Sequence, residues 1–312
     1  MEIYLVADIG GTNARFALVG ADGILKSITT LACAAYPNVD DAINEYLEQV
    51  SPGQVSGVCL AIASPIAGDD IDLVNNHWHF RQSKLRERLG VPLRVINDFT
   101  AQALCLDYLP DDAIRWVGDP RPSGQKTRVV MGPGTGLGVA ALLPDGQVIP
   151  SEGGHAGFSP TSDHQVALLQ FLWERFGRVS IERLVSGQGL ENLFWANAKL
   201  SGREKRLNAR DIAALAQAND ELARQAIDDF FDIFASAAAD FVLTFWAADG
   251  MYLTGGVTEK LAAFFDPDRF RDHFTAKGRF QDFCAATPLG ILQADYPGLL
   301  GCYGALRTHP AQ

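Results

Sequence analysis

The sequence predicts an α/β protein of two lobes, one repeating the other, with a cleft between them. Two observations predict it: a Gly-Thr hairpin that occurs twice, and a similar run of apolar strands and amphipathic helices after each copy. The length of 312 residues is enough for one large or two ordinary domains with a substantial core. An apolar fraction of 47% and a charged fraction of 20% are those of a soluble globular chain.

The first hairpin lies in "LVADIGGTNARFALVG", residues 5–20, where an apolar strand runs into Gly10-Gly11-Thr12-Asn13 and returns as a second strand. "GTNARFALV" (11–19) matches "GTGLGVAAL" (134–142), and each comes after an apolar strand, "IYLVADIG" or "RVVMGPG". Chance similarity of two Gly-Thr hairpins is the competing explanation, and the elements downstream of each copy weigh against it. After the first, "ILKSITTL" reads as a third strand. "VDDAINEYLEQV" then sets Val39, Ile43, Tyr46 and Val50 on one helical face, with Asp40 and Asp41 near its positive end. "GVCLAIAS" is a near-continuous apolar strand, as expected where both faces are covered. In the second half, helices at about 163–177 and 221–247 precede the strand "MYLTGGV". A three-strand meander, a helix and a further strand in each lobe give a mixed sheet, unlike the strict strand–helix alternation of a Rossmann domain.

The net charge of −11 argues against a sequence-independent grip on nucleic acid, which requires phosphate neutralisation by Lys and Arg. An anionic ligand must instead be held by backbone N–H groups, helix ends or a metal. The five cysteines (Cys33, Cys59, Cys105, Cys284, Cys302) contain no C-x-x-C pair and read as reduced thiols of a cytoplasmic protein. No run of ~18 apolar residues is present to cross a bilayer, and no basic-then-apolar leader opens the chain.

Two hairpins facing each other across a cleft would clamp a phosphate chain with backbone alone, without a P-loop lysine. Asp8, ending the first strand, suits a magnesium ion carried in by a nucleotide and held through water, or else is a solvated strand-end carboxylate. Asn97-Asp98, in "LRVINDFTAQAL" (93–104), lies between a strand and a helix, where α/β ligand crevices open. Taken alone, the pair reads as readily as a helix N-cap. In "PSEGGHAGFSP" (150–160), Glu152 and His155 sit in a Gly- and Pro-rich loop suited to hydrogen-bonding a polyhydroxylated ligand. Glu182, in "VSIERLVSGQGL", would by itself be a surface helix residue. His77 and His79 flank Trp78 and read as packing or a solvated loop, and "GREKRLNAR" (202–210) reads as a solvated connector.

In order along the chain, "DIGGTNARFAL", "INDFTAQ", "GPGTGLGVA", "EGGHAGF", "ERLVSGQGL", "LTGGV" and "YPGLLG" resemble the signature segments of the bacterial glucokinases, from about residue 4 to residue 306. The resemblance implies the actin-like fold shared by sugar kinases, actin and heat-shock chaperones. It also implies ATP-dependent phosphorylation of glucose at the 6-hydroxyl. By position, it makes Asp98 the catalytic base and Asn97, Glu152, His155 and Glu182 the sugar ligands. Asn75 and Trp78 match a family Asn-x-x-Trp segment near the sugar.

The same resemblance makes Ala7, Asp8, Ile9, Gly10, Gly11 and Thr12 the first phosphate loop and Gly134, Thr135 and Gly136, on to Gly138, the second. Thr254, Gly255 and Gly256 fall in the adenosine site. An ordinary Asp pKa of ~3.9 would leave Asp98 ionised at neutral pH without tuning. Ser64 stands where the family leads us to expect cysteine, and Pro133 enters the second loop and removes one N–H donor. The scattered cysteines set the chain apart from the zinc-bearing ROK glucokinases. Without a helix-turn-helix ahead of the first strand, a sugar-responsive repressor is not expected. The expected partners are glucose and magnesium-ATP. The expected lobes are 1–108 with 298–312 (small) and 109–297 (large). A homodimer is expected from the family and from the apolar end of the long helix, "DFVLTFWAAD".

Overall fold

Two sheets built to one plan organise the chain in the computed structural model, which describes residues 2–73 and 76–308. Asn75 therefore lies outside the described residues. By contact the chain divides into a unit of residues 1–113, 145–150 and 294–312 and a unit of residues 114–144 and 151–293.

The first unit holds β1 (Ile3–Ile9), β2 (Asn13–Gly20), β3 (Leu25–Ala32), β4 (Gly57–Ile62) and β7 (Leu93–Asn97) in the order β3-β2-β1-β4-β7, with a separate ribbon of β5 (Asp70–Asp72) and β6 (His79–Arg81). β1 runs antiparallel to β2 and parallel to β4, and β4 runs parallel to β7. All six residues of β4 are buried, because both of its faces are covered. α1 (Val39–Val50) buries Val39, Ala42, Ile43 and Tyr46, and its start is closed by a capping box between Asn38 and Asp41. Tyr46 stacks on Phe16 and donates to the Ser27 carbonyl at 2.9 Å. α2 (Gln82–Leu89) and α3 (Asp98–Leu104) flank β7, and α11 (Pro297–Thr308) packs on α3, β1 and β4.

The second sheet contains β8 (Ile114–Trp116), β9 (Arg128–Pro133), β10 (Leu137–Leu142), β11 (Val148–Ser151), β12 (Met251–Leu253) and β13 (Leu289–Leu292), in the order β11-β10-β9-β12-β13-β8. Read from β11 to β13, this is the order of the first sheet again. β10 is antiparallel to β9, β12 and β13 run parallel to β9, and only the antiparallel edge strand β8 is added. The twice-written hairpin is thus the visible part of a duplicated topology.

The helices of this unit are α4 (Asp163–Phe176), α5 (Gly187–Leu200), α6 (Ala209–Gln217), α7 (Glu221–Phe245), α8 (Gly256–Lys260), α9 (Pro267–Thr275) and α10 (Gln281–Ala286). α7 is buried along most of its length, from Ala223 to Val242. Its buried Asp229 is satisfied by His164, Asn197 and Gln225. The "DFVLTFWAAD" segment, expected to offer apolar surface, sends Phe241, Val242 and Ala247 inward and leaves Trp246 exposed, stacked on Phe283. No described helix is long and apolar enough to cross a membrane.

Candidate active site

In the first unit the site begins at the turn between β1 and β2. The Gly10 N–H donates to the Asn13 carbonyl at 3.0 Å, and the Thr12 carbonyl accepts from the Cys33 N–H at 2.9 Å. The N–H groups of Gly11 and Thr12 find no backbone acceptor among the described residues, and Thr12 is exposed. Asp8, three-quarters covered and facing Arg15 across the β1–β2 pair at 3.7 Å, is the nearest acidic group along the strand. Burial pushes its carboxyl pKa up, and Arg15 opposes that.

At the end of β7 the cap reading of Asn97-Asp98 holds, and the same pair orients a carboxylate. Asn97 is the N-cap of α3, its Oδ1 accepting from the N–H groups of Phe99 (2.9 Å) and Thr100 (3.3 Å). Its Nδ2 donates to Asp98 Oδ1 at 2.9 Å and to the Ser64 carbonyl at 3.3 Å. Asp98 Oδ1 also accepts from the Phe99 N–H at 3.0 Å. Among the described residues no donor reaches Oδ2. The expectation of an untuned Asp98 is corrected: burial raises its pKa to about 6, the Phe99 N–H opposes this, and the charge of Asp8 adds to it.

In the second unit the β9–β10 turn repeats the first. The Gly134 N–H donates to the Gly136 carbonyl at 2.8 Å, and Thr135 is exposed. Pro133 has no N–H, and the Leu137 N–H is taken by Glu182 Oε2 at 2.9 Å. Among the described residues, the N–H groups left without an acceptor in this turn are therefore those of Thr135 and Gly136. Gly255 closes in behind it at φ +95°, and a Cβ there would lie 2.5 Å from the Pro133 carbonyl oxygen, so only glycine fits.

Glu182, far from Glu152 and His155 in sequence, is brought beside them by backbone pairing. The Ile181 N–H donates to the Ala156 carbonyl and the Phe158 N–H to that of Val179. His155 then stands 4.0 Å from both Glu152 Oε2 and Glu182 Oε1, with its ring well exposed. Arg178 braces the turn by donating to the His155 carbonyl at 2.8 Å. Glu182 is no surface helix residue. It sits in a 3-10 turn, three-quarters covered, and ties this cluster to the β9–β10 turn.

Behind that turn lies a cavity of about 820 Å³, walled by Ala209, Ala213 and Ala214 of α6, Val257 of α8 and Leu261 just after it, with Arg210, Gln217 and Lys260 among its lining residues. Gly134, Thr135, Gly187 and Gly256 form its other side. Sequence reading missed the α6 wall, since alanines on an amphipathic helix carry no motif. His77 and His79 serve structure: His77 Nε2 meets the Tyr36 carbonyl at 2.9 Å, and His79 Nδ1 meets Asp72 at 2.6 Å.

Twin sheets of this topology, each with its Gly-Thr turn, belong to the actin-like fold, and the relatives of this chain place it among the sugar kinases. A family model described as Glucokinase matches residues 5–309. The glucokinase of Chromohalobacter salexigens is 42% identical over 310 residues, 97% of each chain, and that of Marinobacter nauticus is 42% identical over 97% of this chain and 96% of its own. Among solved structures, a glucokinase from an Antarctic psychrotroph superposes with a TM-score of 0.92 at 31% identity, covering 99% of this chain and 100% of that one. A ROK family glucokinase from Streptomyces griseus, at 19% identity and a TM-score of 0.65 over 98% and 100% of the two chains, shares the fold. The chain belongs to the glucokinase family, whose members are ATP-dependent glucose phosphotransferases.

Proposed function

We propose that the chain transfers the γ-phosphoryl group of magnesium-ATP to the 6-hydroxyl of glucose, with Asp98 as the general base. The observation that carries this reading is the state of the Asp98 carboxylate. Two donors fix Oδ1, Oδ2 has no donor among the described residues, and the pKa of about 6 leaves the group ionised yet basic near neutral pH. Phosphoryl transfer passes through a loose transition state, so orientation of the hydroxyl and stabilisation of phosphate charge matter more than covalent help. Asp98 holds the hydroxyl in line and accepts its proton as the bond to phosphorus forms.

The residues assigned to the sugar are Asn97, Glu152, His155 and Glu182, together with Asn75. The glutamates accept from hydroxyls and a neutral histidine both donates and accepts. The N–H groups of Gly11 and Thr12, and of Thr135 and Gly136, are assigned to phosphate oxygens, in the segments Ala7–Thr12 and Gly134–Gly138. The adenosine moiety is assigned to the cavity lined by Gly256 and α6, beside Gly255. Among the described residues no group of three or more His, Cys, Asp or Glu could cage a metal ion. One partly covered carboxylate, Asp8, suits an ion held mainly by phosphates and water. Asp8 would hold magnesium through water, and the ion supplies charge neutralisation to the triphosphate.

The division into two contact units supports a small lobe of about 1–108 with 298–312 and a large lobe of about 109–297, although 109–113, 145–150 and 294–297 group with the first unit. Five free, buried cysteines support a cytoplasmic setting. The proposed homodimer is tested by light scattering, where the monomer mass of 33.8 kDa would count against it. The reaction is tested by coupled detection of ADP with magnesium-ATP and a panel of hexoses. Turnover dependent on glucose supports the reading, and none with any hexose overturns it. Replacing ATP by ADP or polyphosphate in the same assay tests the donor.

A further inference from the structure

The Gly10–Gly11 peptide is held from outside its own hairpin. Asn76 Nδ2 donates to the Gly10 carbonyl at 3.1 Å, and the Cys33 thiol approaches the same oxygen at 3.8 Å. The Asn76 amide has one orientation consistent with its surroundings, because Oδ1 accepts from the Trp78 N–H at 3.1 Å. Asn76 is itself fixed by its neighbours: Trp78 is 1% exposed, and its indole N–H donates to the Tyr36 carbonyl at 2.9 Å. These groups border an open depression of about 490 Å³ lined by Gly11, Thr12, Cys33, Ala34, Asn76 and His77.

A trans peptide is planar, so the Gly10 carbonyl and the Gly11 N–H point in opposite directions. With glycine on both sides of the bond, side chains offer little resistance to a flip of that plane. A flip would turn a carbonyl oxygen, partly negative, towards whatever the Gly11 N–H now faces. We propose that Asn76 is a positioning residue that locks the Gly10–Gly11 peptide with its N–H presented to the phosphate chain of the nucleotide. This rests on the reading of the β1–β2 turn as a phosphate loop. It goes beyond that reading by naming what fixes the loop's polarity, the unassigned Asn76 between Asn75 and Trp78 of the Asn-x-x-Trp segment.

The test compares Asn76→Asp, Asn76→Ala and Gly11→Val with the wild type, each checked for an unchanged melting temperature. Asn76→Asp keeps the acceptor for the Trp78 N–H and turns a carboxylate oxygen on the Gly10 carbonyl. Asn76→Ala removes the donor. We expect the KM for magnesium-ATP to rise roughly tenfold in Asn76→Asp and about threefold in Asn76→Ala, the range of one lost hydrogen bond. The KM for glucose and inhibition by AMP, which lacks the outer phosphates, should stay within about twofold of wild type. An unchanged KM for magnesium-ATP, or an equal rise in both KM values, overturns the proposal. Gly11→Val separates the two ideas. If it raises the KM for magnesium-ATP while the Asn76 variants do not, only the role of Asn76 fails. If it too leaves that KM unchanged, the phosphate-loop reading fails, and the proposal with it.

Discussion

A carboxylate buried at a strand end is costly to ionise, and that sets the pH behaviour of Asp98. Its pKa in the folded protein, about 6, lies above the ordinary 3.8, so between these values the folded state holds a proton that the unfolded chain has released. Activity carried by the ionised form is therefore present above about pH 6 and lost as pH falls through it. A kcat/KM profile with a single acid limb near 6 is the expected result. A limb near 4 would mean that burial does not act on the group that matters. The stability linkage has the opposite sense: ionised Asp98 weakens the fold as pH rises from 3.8 through 6. At Glu182, substitution by glutamine keeps an oxygen for the Leu137 N–H but removes the charge offered to sugar hydroxyls. The glucose KM should rise by roughly tenfold or more and the magnesium-ATP KM by far less. An equal effect on both would make Glu182 a support of the turn alone. At this scale the sequence was only half legible. Asn97-Asp98 reads as a cap or a site; the cap is present, and Asn97 Nδ2 also orients the carboxylate on which the proposed site rests. The pKa of Asp98 could not be read, because it depends on burial and on Asp8, a residue of another strand.

At the scale of elements, hairpins and helix faces were legible and their mutual contacts were not. The period of α1 and the apolar run of β4 are set by local pattern, and both recur as expected. The pairing of 156–158 with 179–181, which brings Glu182 to His155, joins segments whose intervening helix gives no hint of the return. The α6 wall and Asn76 were invisible for related reasons: one presents alanines, the other a single amide whose partner is a carbonyl many residues earlier. Helix packing yields a separate prediction. Gly301 of α11 lies so close to α3 that a methyl group there would overlap the Ala101 carbonyl oxygen. Gly301→Ala should cost about 1–3 kcal/mol by overpacking, read as a lower denaturant midpoint with unchanged slope. A midpoint equal to wild type would show that the α3–α11 contact yields freely.

For the whole molecule, duplication is what the sequence displays most openly, because the same Gly-Thr turn chemistry is written twice, once in each sheet. The two sheets share one strand order, and each presents a Gly-Thr turn whose first glycine N–H is satisfied internally while the next two N–H groups are left over. Chain length, net charge of −11 and reduced cysteines bounded the class but carried no chemistry of their own. One carboxylate, Asp98, is proposed to perform base catalysis in glucose phosphorylation, and glucose-dependent ADP formation in wild type and Asp98→Asn tests this most directly. Asparagine retains the acceptor that holds the Phe99 N–H, so the variant should fold and bind glucose by calorimetry. Its turnover should be lower by roughly 10²–10⁴-fold, the usual worth of a general base. A folded Asp98→Asn enzyme with near-wild-type turnover would contradict the account and reduce Asn97-Asp98 to a helix cap.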